Sequence, residues 1–256
     1  MTTLHAEWTK VRTVGGLGWL LLAAAVLTAA VSAIAVVATK YSPLGSPQDT
    51  TKLALTGIDL GQAVIAILAV LIISGEYSTG MIRVTLAAMP RRPFVLAAKA
   101  AWVTALTVAA GAVAVLACVL AARLILPGNG FTPGHGYPLL SLAHGPTLRA
   151  ALGSVLYLAL IALLSLGIAT AVRDSAVAIG VVLALLYLFP IVAQVVSPRW
   201  QHDLMQIGPM TAGLSIEATT QLSKLPIGPW SGLAVLAAWA AAALLAGGLV
   251  LRLRDA

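Results

Sequence analysis

Long apolar runs, separated by polar connectors, dominate the chain. Six intervals contain no charged residue, namely 13–39, 60–75, 100–122, 150–172, 175–198 and 225–251. Five of them hold at least 23 residues, enough to cross about 30 Å of hydrocarbon at about 1.5 Å per residue. The interval 60–75 holds only 16 residues, so we expect its helix to extend back through Asp59 toward Leu53. The pattern predicts six spans, at about 17–39, 54–75, 95–122, 150–172, 176–196 and 231–251.

The composition supports a membrane protein. The chain is 60% hydrophobic and 9% charged, whereas soluble domains carry about 25% charged residues. We therefore predict one all-α integral membrane domain over 1–256. The net charge is +7, but the basic residues are scattered between apolar runs, which is typical of loops facing anionic lipid. No nucleic-acid partner is expected.

The first residues have an amphipathic pattern. Leu4, Trp8 and Val11 share one helical face, which predicts an interfacial helix at about 3–15. The alternative is a polar tail. A cleaved signal peptide is disfavoured because the first apolar run exceeds 20 residues, whereas a signal core has about 7–15.

The distribution of basic residues predicts the orientation. With both termini cytoplasmic, the inside segments hold eight basic residues in 45 positions and the outside segments six in 78. Basic excess marks the cytoplasmic side. Both termini are therefore expected to lie in the cytoplasm, as is the connector 75–94.

That connector is the most informative stretch. Its middle, 78–89, predicts a short helix outside the bilayer that ends at Pro90. Glu76 and Arg83 are seven residues apart and so share a helix face. The cationic residues here are Arg83, Arg91, Arg92 and Lys99. Arg91 and Arg92 either take part in docking a partner or only set the topology.

The segment 199–229 on the other side is broken by prolines and glycines. It is expected either to re-enter the membrane or to cap the bundle. Among the few polar residues in the spans, Asp59 has two interpretations: a binding group or an acid at a helix start, favoured by the helix dipole. The polar side chains predicted to line a path are Asp59, Gln62, Tyr187 and Gln194.

The sequence lacks the common nucleotide-binding, serine-hydrolase and metalloprotease motifs. It contains no G-x-x-x-x-G-K-[ST] phosphate loop, no G-x-S-x-G and no H-E-x-x-H. The four histidines lack metal-ligand spacing. We therefore expect no catalytic residues, no metal site and no cofactor on this chain.

Taken together, these patterns resemble the permease subunits of bacterial ABC-2 type ABC transporters. The likeness lies in Ala6-Glu7-Trp8-Thr9-Lys10, in six spans, and in Gly75–Arg83 followed by Pro90-Arg91-Arg92-Pro93 and Lys99. The resemblance implies that 3–15 is an elbow helix and that 78–89 is a coupling helix docked on a soluble ATPase. The implied coupling residues are Glu76, Tyr77, Met81, Arg83, Arg92 and Arg173.

The resemblance also implies a mechanism. Two copies of the ATPase would hold ATP and Mg, and their closure would tilt the spans. The path would lie between this chain and a second copy or a sibling permease, with spans one, two and five at the interface, in a bacterial inner (plasma) membrane. The expected activity is export of an amphipathic or lipophilic cargo. The alternative is a motor-free membrane channel or scaffold; a membrane enzyme is disfavoured for want of a clustered polar site.

Overall fold

A computed structural model describes residues 15–78, 92–195 and 197–253 of the chain. Throughout these ranges, every regular element is helical. Six helical stretches are long and apolar enough to cross a membrane, which confirms the predicted number of spans. The predicted elbow helix (3–15) and coupling helix (78–89) lie outside the described residues, apart from Gly15 and Ser78 at their ends.

The described part has the following helices. In chain order they are α1 (Gly15–Ala38), α2 (Thr50–Leu55), α3 (Ile58–Ser78), α4 (Arg92–Ile125), α5 (Gly145–Val172), α6 (Ser175–Leu183), α7 (Phe189–Val195), α8 (Pro198–Ile207), α9 (Pro209–Gly213) and α10 (Pro229–Leu253). We call the end that carries 39–57, 126–144 and 197–228 the long-loop end. The short-loop end is where α3 ends, α4 begins and Arg173-Asp174 joins α5 to α6.

Helix α5 forms the centre of the bundle and packs against α3, α4, α6 and α10, while α1 packs on α3 and α4. Small residues allow the α5–α10 backbones to come close. A Cβ on Gly167 would lie 2.5 Å from the carbonyl carbon of Ala243, and one on Gly247 would lie 2.7 Å from the carbonyl oxygen of Gly167. Such close approach is typical of small residues in membrane helices.

The second span is not one continuous helix. A turn at 56–57 separates α2 from α3, where the sequence predicted a helix extended back through Asp59. The Gly57 N–H donates to Ser32 Oγ at 2.9 Å, and a Cβ on Gly57 would overlap the carbonyl oxygen of Thr28. The turn therefore lies directly against α1. Asp59 falls in the first turn of α3, as expected for an acid at a helix start.

The fifth span contains a π-helical turn, Ala184–Leu188, between α6 and α7. Here the Phe189 N–H donates to Ala184 O, five residues back. Pro190 follows directly and has no N–H to donate. Turns of this kind are found mostly as single interruptions of α-helices. This one contains Tyr187.

Candidate functional site

A buried polar cluster lies where α3, α5 and the π turn meet. We define it by six residues: Asp59, Gln62, Ser154, Tyr157, Tyr187 and Glu217. Gln62, Ser154 and Tyr157 are completely buried, and Glu217 is 3% exposed. Polar groups at such depth are functional candidates in a membrane protein because burying them is costly.

Three of the four predicted path residues belong to this cluster. Gln62 Nε2 donates to Asp59 O at 3.1 Å, and the Tyr187 hydroxyl donates to the same carbonyl oxygen. The Tyr157 hydroxyl donates to Gln62 Oε1. Gln194 lies apart, two turns further along at the exposed surface of α7. The cluster therefore joins spans two, four and five through hydrogen bonds. The expectation from the sequence that the chain has no clustered polar site was wrong, because these residues are brought together only by the packing of distant helices.

Removing the Tyr157 hydroxyl tests how strongly this network stabilises the bundle. Tyr157→Phe leaves Gln62 Oε1 without its donor in a buried place, so we expect the free energy of unfolding to fall by about 1–3 kcal/mol. Tyr137→Phe is the matched control, because its hydroxyl accepts only an exposed bond from Gln48 N–H. Unfolding in mixed detergent micelles, followed by circular dichroism, measures both. Equal losses in the two variants would contradict the network.

Residues 208–219, which we call the inserted segment, pack inside the bundle instead of above it. At its start, Trp239 Nε1 donates to Ile207 O at 2.8 Å, and Trp239 lies about 15 Å along α10 from Pro229. A Cβ on Gly213 would lie 2.6 Å from the Tyr157 ring. Helices α5 and α10 continue well past these contacts, so the inserted segment lies beside their first halves.

Glu217, at the end of this segment, is a site residue that the sequence did not single out. Its carboxylate accepts from Ser154 Oγ at 3.5 Å. Burial, and then the nearby charge of Asp59, raise the pKa of Glu217 well above its usual value, while Lys52 and the Ser154 bond act in the opposite direction. The sequence offers one signal for this residue: Glu217 is the single acid in the stretch 209–219.

Asp49 fixes the far end of the inserted segment. Its carboxylate accepts the Thr219 N–H at 2.5 Å, the Thr219 hydroxyl at 2.7 Å and the Thr220 N–H at 2.9 Å. It also caps α2 by accepting the Lys52 N–H at 3.1 Å. Burial would raise the pKa of Asp49, but these four hydrogen bonds to the charged form outweigh it, and the pKa is lowered from 3.8.

A cleft of about 570 Å³ opens at the long-loop end. None of its lining residues is Asp, Glu, Lys or Arg. Thr51 and Thr147 lie at its buried side with their hydroxyl oxygens 3.4 Å apart. Thr219 forms part of the wall, so any displacement of the inserted segment changes the shape of the cleft.

At the short-loop end, two of the predicted coupling residues meet. The Arg173 guanidinium lies 5.6 Å from the centre of the Tyr77 ring and donates to Val250 O at 3.2 Å. Glu76 and Arg92 lie in helices, but the structure does not describe their side chains. Met81 and Arg83 lie outside the described residues. Lys99 is 1% exposed, so this cation lies within the bundle.

Six apolar spans define the chain as an all-helical, multi-pass membrane protein. No protein-family model matches the chain, and no curated protein is detectably similar to it in sequence.

Proposed function

We propose that the chain is the membrane-spanning permease subunit of an ATP-driven exporter of the ABC-2 type. One observation carries the proposal. Tyr77, just before the α3–α4 connector, and Arg173, in the α5–α6 connection, are 96 positions apart in the sequence but in contact at the short-loop end. The end of α3 and the α5–α6 connection therefore lie side by side, and a soluble ATPase that docks at this end of the bundle can contact both. ATP and Mg would bind to that partner.

The packing of α5 supports a path between two chains. Tyr157, Ile161 and Leu164 on this helix are completely buried, so side chains fill the centre of the single bundle. By contrast, α1 exposes Trp19 and Ile34. Exposed apolar faces of this kind contact lipid or a second permease. A second copy and a sibling permease both fit this surface.

The polar cluster supports the same location for the path. Asp59 and Tyr187 are each half-buried where spans two and five meet, and Gln194 is exposed on the same span as Tyr187. A mostly apolar surface with few charges suits an amphipathic or lipophilic cargo. In this proposal the membrane is a bacterial plasma membrane, both termini are cytoplasmic, and residues 3–15 and 78–89 are the elbow and coupling helices.

Removal of a charged side chain from the connector 75–94 tests the docking surface. We expect Arg83→Ala and Glu76→Ala each to abolish co-purification of an ATPase, because each removes a charged contact from the predicted coupling segment. The tagged chain is purified from its native cells in mild detergent, and ATP hydrolysis is assayed on the product. Arg123→Ala is the matched control: it removes an exposed cation from the long-loop end of α4 and should leave ATPase recovery unchanged.

Two results would overturn the proposal. The first is a pure preparation that contains no ATPase and is the same for the parent chain and all three variants. This result would favour a motor-free channel or scaffold. Stimulation of hydrolysis only by a strongly charged, lipid-insoluble solute would contradict the assignment of cargo class.

A further inference from the structure

Glu217 is held in a tightly packed place. On one side of it, a Cβ on Gly153 of α5 would overlap the side chain of the adjacent residue Ile216. On the other side, a Cβ on Gly232 of α10 would overlap the carbonyl oxygen of Ala212. The inserted segment therefore fits between α5 and α10 only because both helices carry glycine at these points. Glu217 is the acidic residue of the inserted segment.

The charges around Glu217 do not neutralise it. Asp59 of α3 and Asp49 before α2 add negative charge, and the cation among its electrostatic neighbours is Lys52 of α2, whose side chain is exposed. From α5 the facing groups are Tyr157 and Arg149, whose guanidinium donates to Ala218 O at 2.5 Å and not to the Glu217 carboxyl group. From α4 the facing group is Cys118. Among the described residues Glu217 has no ion pair, and its hydrogen-bond partner is the neutral Ser154 hydroxyl. An ionised carboxylate in such a place is costly.

We propose that Glu217 is a proton-binding site that holds the inserted segment in the bundle. With the proton bound, the carboxyl group is neutral and remains between α5 and α10. When the proton passes to bulk water, the buried carboxylate is left close to the charge of Asp59. The inserted segment then moves out from between α5 and α10. Because Thr219 forms part of the cleft wall, this release reshapes the cleft. This release involves residues of the chain alone and needs no ATPase partner.

The direction of the pH dependence follows from proton linkage. In the seated form the inserted segment lies between α5 and α10, and in the released form it does not. Burial and the charge of Asp59 raise the pKa of Glu217 only in the seated form, which therefore keeps its proton to higher pH than the released form does. The contribution of Glu217 to holding the segment in the bundle is therefore largest below its usual pKa of 4.5. It weakens as the pH rises from there toward the pKa of the seated form.

Cysteine accessibility measures this release. Ser215 is 7% exposed, and Ser215→Cys changes one atom in the inserted segment. In a Cys118→Ala background, maleimide labelling of Ser215→Cys is compared with that of Ser42→Cys, an exposed position. The exposed thiol reports the intrinsic pH dependence of the reaction, and the Glu217→Gln variant reports the ionisation of the buried thiol. We expect this ratio to rise roughly tenfold or more between about pH 5 and about pH 9.

Two acid substitutions and one control decide the outcome. Glu217→Gln mimics the protonated group and should keep the ratio low at every pH, whereas Asp203→Asn, an exposed acid of α8, should behave as the parent does. Asp59→Asn removes the facing charge and should make the rise smaller, which tests the site even if Glu217→Gln fails to fold. A pH rise that persists unchanged in Glu217→Gln overturns the proposal. A ratio that responds to sodium concentration at fixed pH and ionic strength also overturns it, since the ligand is then a metal cation.

Discussion

Gly167→Ala is expected to lower the free energy of unfolding by about 3 kcal/mol, at the upper end of the usual cost of overpacking. The added Cβ would lie 2.5 Å from the carbonyl carbon and 2.8 Å from the carbonyl oxygen of Ala243. Both atoms belong to the backbone of α10, so no rotation of a side chain relieves the clash. The two helices have to separate, and α5 is the helix against which most of the bundle packs. Unfolding in mixed detergent micelles measures the loss.

Gly180→Ala is the matched control for this prediction. Gly180 lies on the exposed face of α6, and a Cβ there would meet nothing within 4 Å. Because alanine restricts the unfolded chain more than glycine does, we expect no loss and a gain of up to about 1 kcal/mol. If both substitutions destabilise equally, the close backbone contact between α5 and α10 is not what holds the bundle together.

Asp49→Ala is expected to have a comparably large effect, a loss of about 2–4 kcal/mol in the free energy of unfolding. The substitution removes the cap of α2, which contributes about 1 kcal/mol. It also leaves Thr219 and Thr220 without the charged acceptor of three hydrogen bonds. A hydrogen bond to a charged group contributes about 1.5–3 kcal/mol, but water can replace part of these bonds because Thr220 is exposed, so the total loss is smaller than their sum. The same unfolding experiment measures the loss, with Asp203→Asn on α8 as the control acid.

The effect of Asp49 also depends on pH in a defined direction. The pKa of Asp49 is lower in the folded chain than its usual 3.8, so its charge stabilises the fold fully above that value. The stabilisation is lost as the pH falls through the folded pKa. The difference between the parent chain and Asp49→Asn should therefore shrink below about pH 4. A difference that stays constant into that range would mean that the charge of Asp49 does not matter.

The number of spans was readable from the sequence because hydrocarbon imposes one simple rule on every span. A stretch without charged residues and of sufficient length is a helix in the membrane, whatever its neighbours are. The position of Asp59 near a helix start followed from similar local reasoning. Neither prediction requires knowledge of which helices touch.

Glu217 and the turn at Gly57 were not predictable in this way, because both depend on contacts between distant segments. The inserted segment takes its place through glycines at 153, 213 and 232, which in the sequence look like many others. The same holds for Gly57, whose importance comes from Thr28 on α1. Ala243 and Gly247 are four positions apart, a spacing that suits close packing of membrane helices. This spacing predicts little here, because alanine is abundant throughout the chain.

The two ends of the fifth span differ in stiffness. At one end Arg173 adopts a left-handed backbone, with φ of 63°, and Asp174 caps α6 by accepting the Val177 N–H at 2.8 Å. A two-residue connection fixed in this way ties α6 to α5. Beyond it, the regular hydrogen bonding of the span is interrupted at 184–188, directly before Pro190. Because sharp kinks in helices fall at π turns and prolines, we expect any bend of the fifth span to lie at this turn and not at its junction with α5.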